Sequence, residues 1–209
     1  MYRPSAFAVD DIAVLHRFIR QRAFATIGIV QGGAVTFAYA PVVLDSAGAL
    51  GAVRFHLAKS NPAAAVHDGV RVVLSFAGPD AYVSPDWYSS GGMVPTWNYL
   101  AVEGEGRARH LSDRELLELL ADLSAEQEAK LLPKKPWTID KVPAPKFEAL
   151  AAAIAGFSVT FEKLEGKFKL SQDKKPEDFA GVVAGLEARG ETSSHAIARA
   201  MRSERDGHE

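Results

Sequence analysis

FATIGIVQGGAVTFAYAPVVL, running from Phe24 to Leu44, reads as two strands and the turn between them. Phe24–Val30 is rich in β-branched and aromatic residues, Gly32-Gly33 supplies a tight turn, and Ala34–Leu44 resumes the extended pattern. A second turn at Asp45–Gly48 leads into a third strand over Ala49–Leu57, so this part of the chain is an antiparallel meander. Pro41 sits inside the second strand and cannot donate to a ladder, which predicts a sheet edge or a bulge there.

On the N-terminal side, Asp10 or Asp11 caps a helix whose apolar positions Ile12, Leu15, Phe18 and Ile19 fall on one face. On the C-terminal side come a short helix at Pro62–His67, strands at Val70–Phe76 and Ala81–Ser84, a loop over Pro85–Pro95 and a strand at Trp97–His110. Ser112 with Glu115 is a capping box. Leu111 and Leu116 make a hydrophobic staple, and Leu116, Leu117, Leu119, Leu120 and Leu123 supply the buried face of the helix that follows. Pro133, Pro136, Pro143 and Pro145 mark a stiff connection. Phe157–Leu164 alternates as a long strand, with a short one at Lys167–Leu170. Pro176 opens a helix that Gly190 closes, and Thr192 or Ser193 caps a last one. About six strands with three or four peripheral helices, and no βαβ alternation, give a mostly β (α+β) fold: an antiparallel barrel with helical decoration. The expected organisation is a barrel domain over 1–172 and a C-terminal helical extension, 173–209, packed on it.

Composition narrows the chemistry. The 209 residues are 47% hydrophobic and 24% charged, enough for one sizeable core. There is no cysteine, which excludes disulfides, thiolate nucleophiles and cysteine-based metal sites. The six histidines show no metal-ligand spacing, so no metal is expected. A net charge of −2 lacks the basic excess of a protein that grips nucleic-acid phosphates. No signal-peptide pattern opens the chain and no apolar run is long enough to cross a bilayer, so a cytoplasmic location is the expectation.

Three stretches carry candidate chemistry. Phe55-His56-Leu57-Ala58-Lys59-Ser60-Asn61-Pro62 puts a histidine, a lysine, a hydroxyl and an amide at a strand–helix junction. Unpaired backbone donors beside a mobile cation suit a phosphate, although a plain helix cap reads the same way. Tyr82 to Tyr88 and Val94 to Tyr99 contain large aromatics that could wall a planar ring, with Thr96 and Asn98 on its polar edge; core or interface filling is the bland alternative. Lys167 and Lys169, at i and i+2, share one face of a strand and present positive charge, as a solvated β-edge would also do.

Taken together with Met1-Tyr2-Arg3-Pro4 and Phe24-Ala25-Thr26, these stretches resemble the PaiB family of FMN-binding negative transcriptional regulators. The matching segments include His56 to Pro62, Ser84 to Tyr88, Val94 to Tyr99 and Gly166 to Gln172, in the family's order. The resemblance implies a split β-barrel related to pyridoxamine-phosphate oxidases and flavin reductases, with FMN held at a two-subunit interface. It implies that His56, Lys59 and Ser60, next to the capping Asn61, contact the phosphate. Thr96, Trp97 and Asn98 would lie near the isoalloxazine, and Lys169, Ser171 and Gln172 would close the site. The chain departs from the pattern at Tyr39, Phe55, Lys59 and Asp173, where the family tends to have His, Gly, Arg and Asn. Lysine for arginine gives up a bidentate fork.

The implied function is that of an FMN-binding homodimer acting as a transcriptional regulator; the alternative is a flavin-dependent oxidoreductase or flavin reductase using NAD(P)H. A homodimer is expected because a split barrel leaves apolar strand faces that need cover. Direct DNA binding is not expected, since no helix-turn-helix or basic stripe is evident.

Overall fold

The computed structural model describes residues 1–206. Seven strands and five α-helices follow in the order β1 (Ala8–Val9), α1 (Ile12–Arg22), β2 (Phe24–Gln31), β3 (Ala34–Asp45), β4 (Ala52–Ala58), β5 (Arg71–Val83), β6 (Thr96–His110), α2 (Asp113–Ala129), α3 (Ala144–Ala152), β7 (Ile154–Lys169), α4 (Pro176–Ala188) and α5 (Thr192–Asp206). The sheet order is β1-β7-β4-β3-β2-β5-β6, and β7 also pairs with β6. Six strands thereby close on themselves, as a barrel requires.

The Phe24–Leu44 hairpin forms in the register its turn dictates. Gly32 and Gly33 both adopt positive φ, +60° and +79°, as a two-residue turn matched to strand twist demands. Pairing then runs from Gln31↔Ala34 to Phe24↔Pro41. At Pro41 the strand β3 changes partner: from Val42 onward it pairs with β4, beginning at Val42↔Phe55. Residues 34–41 therefore have β2 alone beside them, which is how a proline is accommodated within a long strand.

The chain divides into two compact units. One contains residues 12–76 and 103–164. Its core follows the two-residue alternation of its strands: Ile27 and Ile29 on β2, Val53, Phe55 and Leu57 on β4, Val72, Leu74 and Phe76 on β5, and Phe157, Val159 and Phe161 on β7 are all buried. Phe55 and Phe157 are register partners and stack with centroids 5.5 Å apart. α1 adds Leu15, Phe18 and Ile19. α2 is fixed by its capping box, Ser112 with Glu115, and packs Leu116 and Leu119 on Val43; Leu117, expected on the buried face, is exposed, because it stands about 100° of helix rotation from Leu116. The second unit contains residues 1–11, 77–102 and the chain from Glu165 onward. Phe179, Val182, Val183 and Leu186 of α4 and Ile197, Ala198 and Met201 of α5 are buried there. The last three residues of the expected helical extension lie outside the described residues.

Several local expectations change. The strands expected at Val70–Phe76 and Ala81–Ser84 are one strand, β5, and those at Phe157–Leu164 and Lys167–Leu170 are one strand, β7. The helix expected at Pro62–His67 is a four-residue 3-10 turn, Pro62–Ala65. The proline-rich connection holds a helix: Pro143 is the N-cap of α3 and Pro145 lies in its first turn, where the missing N–H costs nothing. Among the described residues, no helix is long and apolar enough to cross a membrane.

Candidate functional site

His56 lies on β4 opposite Gly156 of β7. It is half-buried, its Nδ1 has no hydrogen-bond partner, and burial pushes its pKa down, favouring the neutral ring. Beyond the strand, the Lys59 N–H donates to Ala153 O (2.9 Å) and the Asn61 N–H to Ala58 O (2.9 Å). Asn61 Oδ1 accepts from Ala63 N–H at 2.9 Å, and Asn61 O from Ala64 N–H at 2.8 Å. The backbone donors of this turn are thus largely engaged, and what it presents outward is the exposed side chains of Lys59 and Ser60. The fan of free N–H groups expected at a helix start is not formed, because the helix itself is not formed.

The other candidates belong to the second unit. Thr96 Oγ1 accepts from Lys169 Nζ. Trp97 is exposed and meets Tyr82 edge-on, centroids 5.1 Å apart. Asn98 is fully buried; its Nδ2 donates to Ser171 Oγ (2.9 Å) and approaches Met201 Sδ (3.5 Å). Ser171 is buried with a φ of +62°, and Gln172 folds back on its own turn, Oε1 accepting from Leu170 N–H and Nε2 donating to Phe168 O. Thr96, Asn98, Lys169 and Ser171 are thus tied in pairs, whereas Gln172 serves its own backbone. The aromatics do not form one wall. Trp87 lies against α4, Tyr88 is buried, and Tyr99 faces Lys167.

Lys167 is 8% exposed, its ammonium 5.3 Å from the Tyr2 ring centroid and 5.2 Å from that of Tyr99. Burial first, then the positive charge of Lys167, lowers the Lys169 pKa. The pair was legible as two lysines on one strand face; its aromatic walls were not. Tyr2 arrives because β1 pairs with β7, Ala8 opposite Lys167, a contact across most of the chain's length.

The family described as "Putative FMN-binding domain" matches residues 1–163. The chain belongs to this FMN-binding family. A Bacillus subtilis relative, protease synthase and sporulation protein PAI 2, is 28% identical over 202 residues, covering 96% of each chain. Among solved structures, the flavocytochrome Anf3 from Azotobacter vinelandii matches with a TM-score of 0.57 and 16% identity, over 86% of this chain and 78% of that one. An FAD and heme binding protein from Mycobacterium smegmatis matches with a TM-score of 0.55 and 15% identity, over 83% and 78%. These two likenesses are of fold: the split barrel.

The family's cofactor, FMN, joins a phosphate to a planar ring system, and the residues present fit those needs. Buried polar atoms without partners are uncommon in folded proteins, and His56 Nδ1 is one. Lys59 and Ser60 are donors of the kind an anion takes, and so, as a separate pair, are Lys169 and Thr96. Trp97 and Tyr82 offer aromatic surface that is still exposed.

Proposed function

We propose that this protein is an FMN-binding homodimer that acts as a transcriptional regulator of the PaiB kind. The observation that carries the reading is the near end-to-end match to PAI 2, a protein named for protease synthesis and sporulation, on a chain with the FMN-binding domain. His56, Lys59, Ser60 and Asn61 would contact the phosphate, Thr96, Trp97 and Asn98 would lie near the isoalloxazine, and Lys169, Ser171 and Gln172 would close the site. When bound, FMN supplies a redox-active ring. The neutral His56 ring would give or accept one hydrogen bond, and Lys59 and Lys169 would supply charge. Asn98 and Ser171, engaged with each other, would keep the wall of the site in one shape. An acidic protein of this kind would reach its genes through a protein partner rather than by gripping DNA directly.

The first test is the visible absorption spectrum of the purified protein, with extraction of the bound flavin. FMN bands, or reconstitution by added FMN with altered transcript levels in cells lacking the gene, are the expected results. A protein that takes up no FMN overturns the cofactor assignment. Steady NAD(P)H oxidation by the loaded protein, with transcript levels unchanged by deletion, replaces the regulator with a flavin reductase.

A further inference from the structure

Lys167 is the one buried lysine among the described residues. Among the described residues its ammonium has no ion-pair or hydrogen-bond partner, and the two tyrosine rings are its close neighbours, within cation–π reach. Lys169, two residues on and on the same strand face, has only the Thr96 hydroxyl as a hydrogen-bond partner among the described residues. The nearby carboxylates are already matched. Glu165 pairs with the N-terminal ammonium (2.9 Å) and lies 3.8 Å from Arg3; Asp10 pairs with Arg3 at 2.5 Å; Asp173 pairs with Lys174 at 2.6 Å. Over these groups five positive charges stand against three negative ones, and Lys167 and Lys169 are the two with no carboxylate partner. Two desolvated ammoniums side by side are unfavourable without an anion. Ring faces offset part of that cost for Lys167 and none of it for Lys169.

We propose that Lys167 and Lys169, walled by Tyr2 and Tyr99, form a binding site for a phosphate monoester. The charge surplus of two matches a group that carries close to two negative charges at neutral pH. A carboxylate would leave one ammonium uncompensated. Lysine binds phosphate as a point charge, and the Thr96 hydroxyl adjoining Lys169 adds a neutral donor. The phosphate could be that of FMN or that of a second phosphorylated small molecule; the site's chemistry is the same for both, and it does not depend on the flavin assignment.

The test is a calorimetric titration of the full-length protein with inorganic phosphate, beside melting curves with and without it. Wild type should bind phosphate and melt higher in its presence, because a ligand that binds only the folded state stabilises it. Lys167→Met and Lys169→Met should each weaken binding roughly tenfold or more, the range for hydrogen bonds to a charged group. Lys167→Arg, which keeps the charge, should retain most of it. Without phosphate, Lys167→Met should melt no lower than wild type, since it removes a buried unpaired charge; that separates lost binding from lost folding. Titrations with FMN and riboflavin then distinguish the sources. A Lys167→Met protein weakened toward FMN but not riboflavin assigns the site to the flavin's phosphate, and unchanged FMN affinity assigns it to a second ligand. Both support the site. Absence of phosphate binding by wild type, or equal binding by both methionine variants, overturns it. Phosphate bound at the lysines of a protein that takes up no FMN would sink the flavin assignment and leave this site standing.

Discussion

The Asp178 carboxylate, buried in the first turn of α4, accepts from the Ser89 hydroxyl and the Ser90 N–H, both at 2.9 Å. Hydrogen bonds from Ser90, then from Ser89, hold its pKa at about 2 against an ordinary 3.8. The folded-state value lies below the unfolded one. Its contribution to stability is therefore full above the ordinary value and is lost as pH falls through that window toward the folded one. Asp178→Asn should flatten the acid limb of stability there, read as the urea midpoint against pH, and should make the 85–95 loop easier to cleave by protease at neutral pH. An unchanged acid limb would show that another carboxylate governs it. Nothing near Asp178 in the sequence announces this role, because its partners lie nearly ninety residues earlier. Lys59 illustrates the converse: its motif was plain, but whether backbone donors stand free beside it depends on a helix that the chain does not form.

Elements were legible where their signals are local and were missed where pairing decides. The capping box of α2 lies within four residues, and it forms as read. By contrast, Gly78-Pro79 and Glu165-Gly166 look like breaks, yet β5 and β7 run straight through them because neighbouring strands hold the backbone extended. α3 was hidden by Pro143 and Pro145, which punctuate a loop and open a helix with equal ease. α4 carries a less visible constraint. A Cβ on Gly181 would stand 2.0 Å from the Trp87 carbonyl oxygen, and one on Gly185 2.3 Å from the Trp87 ring. Gly→Ala in a helix normally gains up to about 1 kcal/mol. Here overpacking, typically about 1–3 kcal/mol, should reverse the sign at both positions. The two differ in what relieves them. Trp87→Ala removes the ring and should rescue Gly185→Ala but not Gly181→Ala, whose obstacle is backbone. A double-mutant cycle in denaturant measures this; coupling at Gly181 equal to that at Gly185 would contradict it.

At the scale of the whole molecule, the question is what covers the β2–β3 hairpin. Register pairs Thr26 with Tyr39, Gly28 with Phe37 and Val30 with Val35, so these residues share one face, together with Phe24 opposite Pro41. Phe37 is 61% exposed, Tyr39 65%, Val35 57% and Phe24 54%. Scattered apolar residues on a surface need no explanation, but a contiguous apolar face is characteristic of an interaction surface. Along 34–41, β3 has no second strand beside it among the described residues, so the same stretch is a sheet edge. A second copy of the chain, related by a two-fold axis, would cover both with a self-complementary patch. The exposed side chains alone fall short of the roughly 800 Å² per partner of a standard interface, so half-buried neighbours such as Thr26 and Val73 must join them. Wild type should therefore scatter light as a dimer at micromolar concentration. Phe37→Lys with Tyr39→Lys should return the monomer mass with secondary structure unchanged, because two charges per copy would have to be desolvated against their own kind. Val35→Lys, on the same face near the turn, should weaken the dimer less. A wild-type monomer removes the dimer from the proposed function, and a lysine variant that stays dimeric moves the interface to another face.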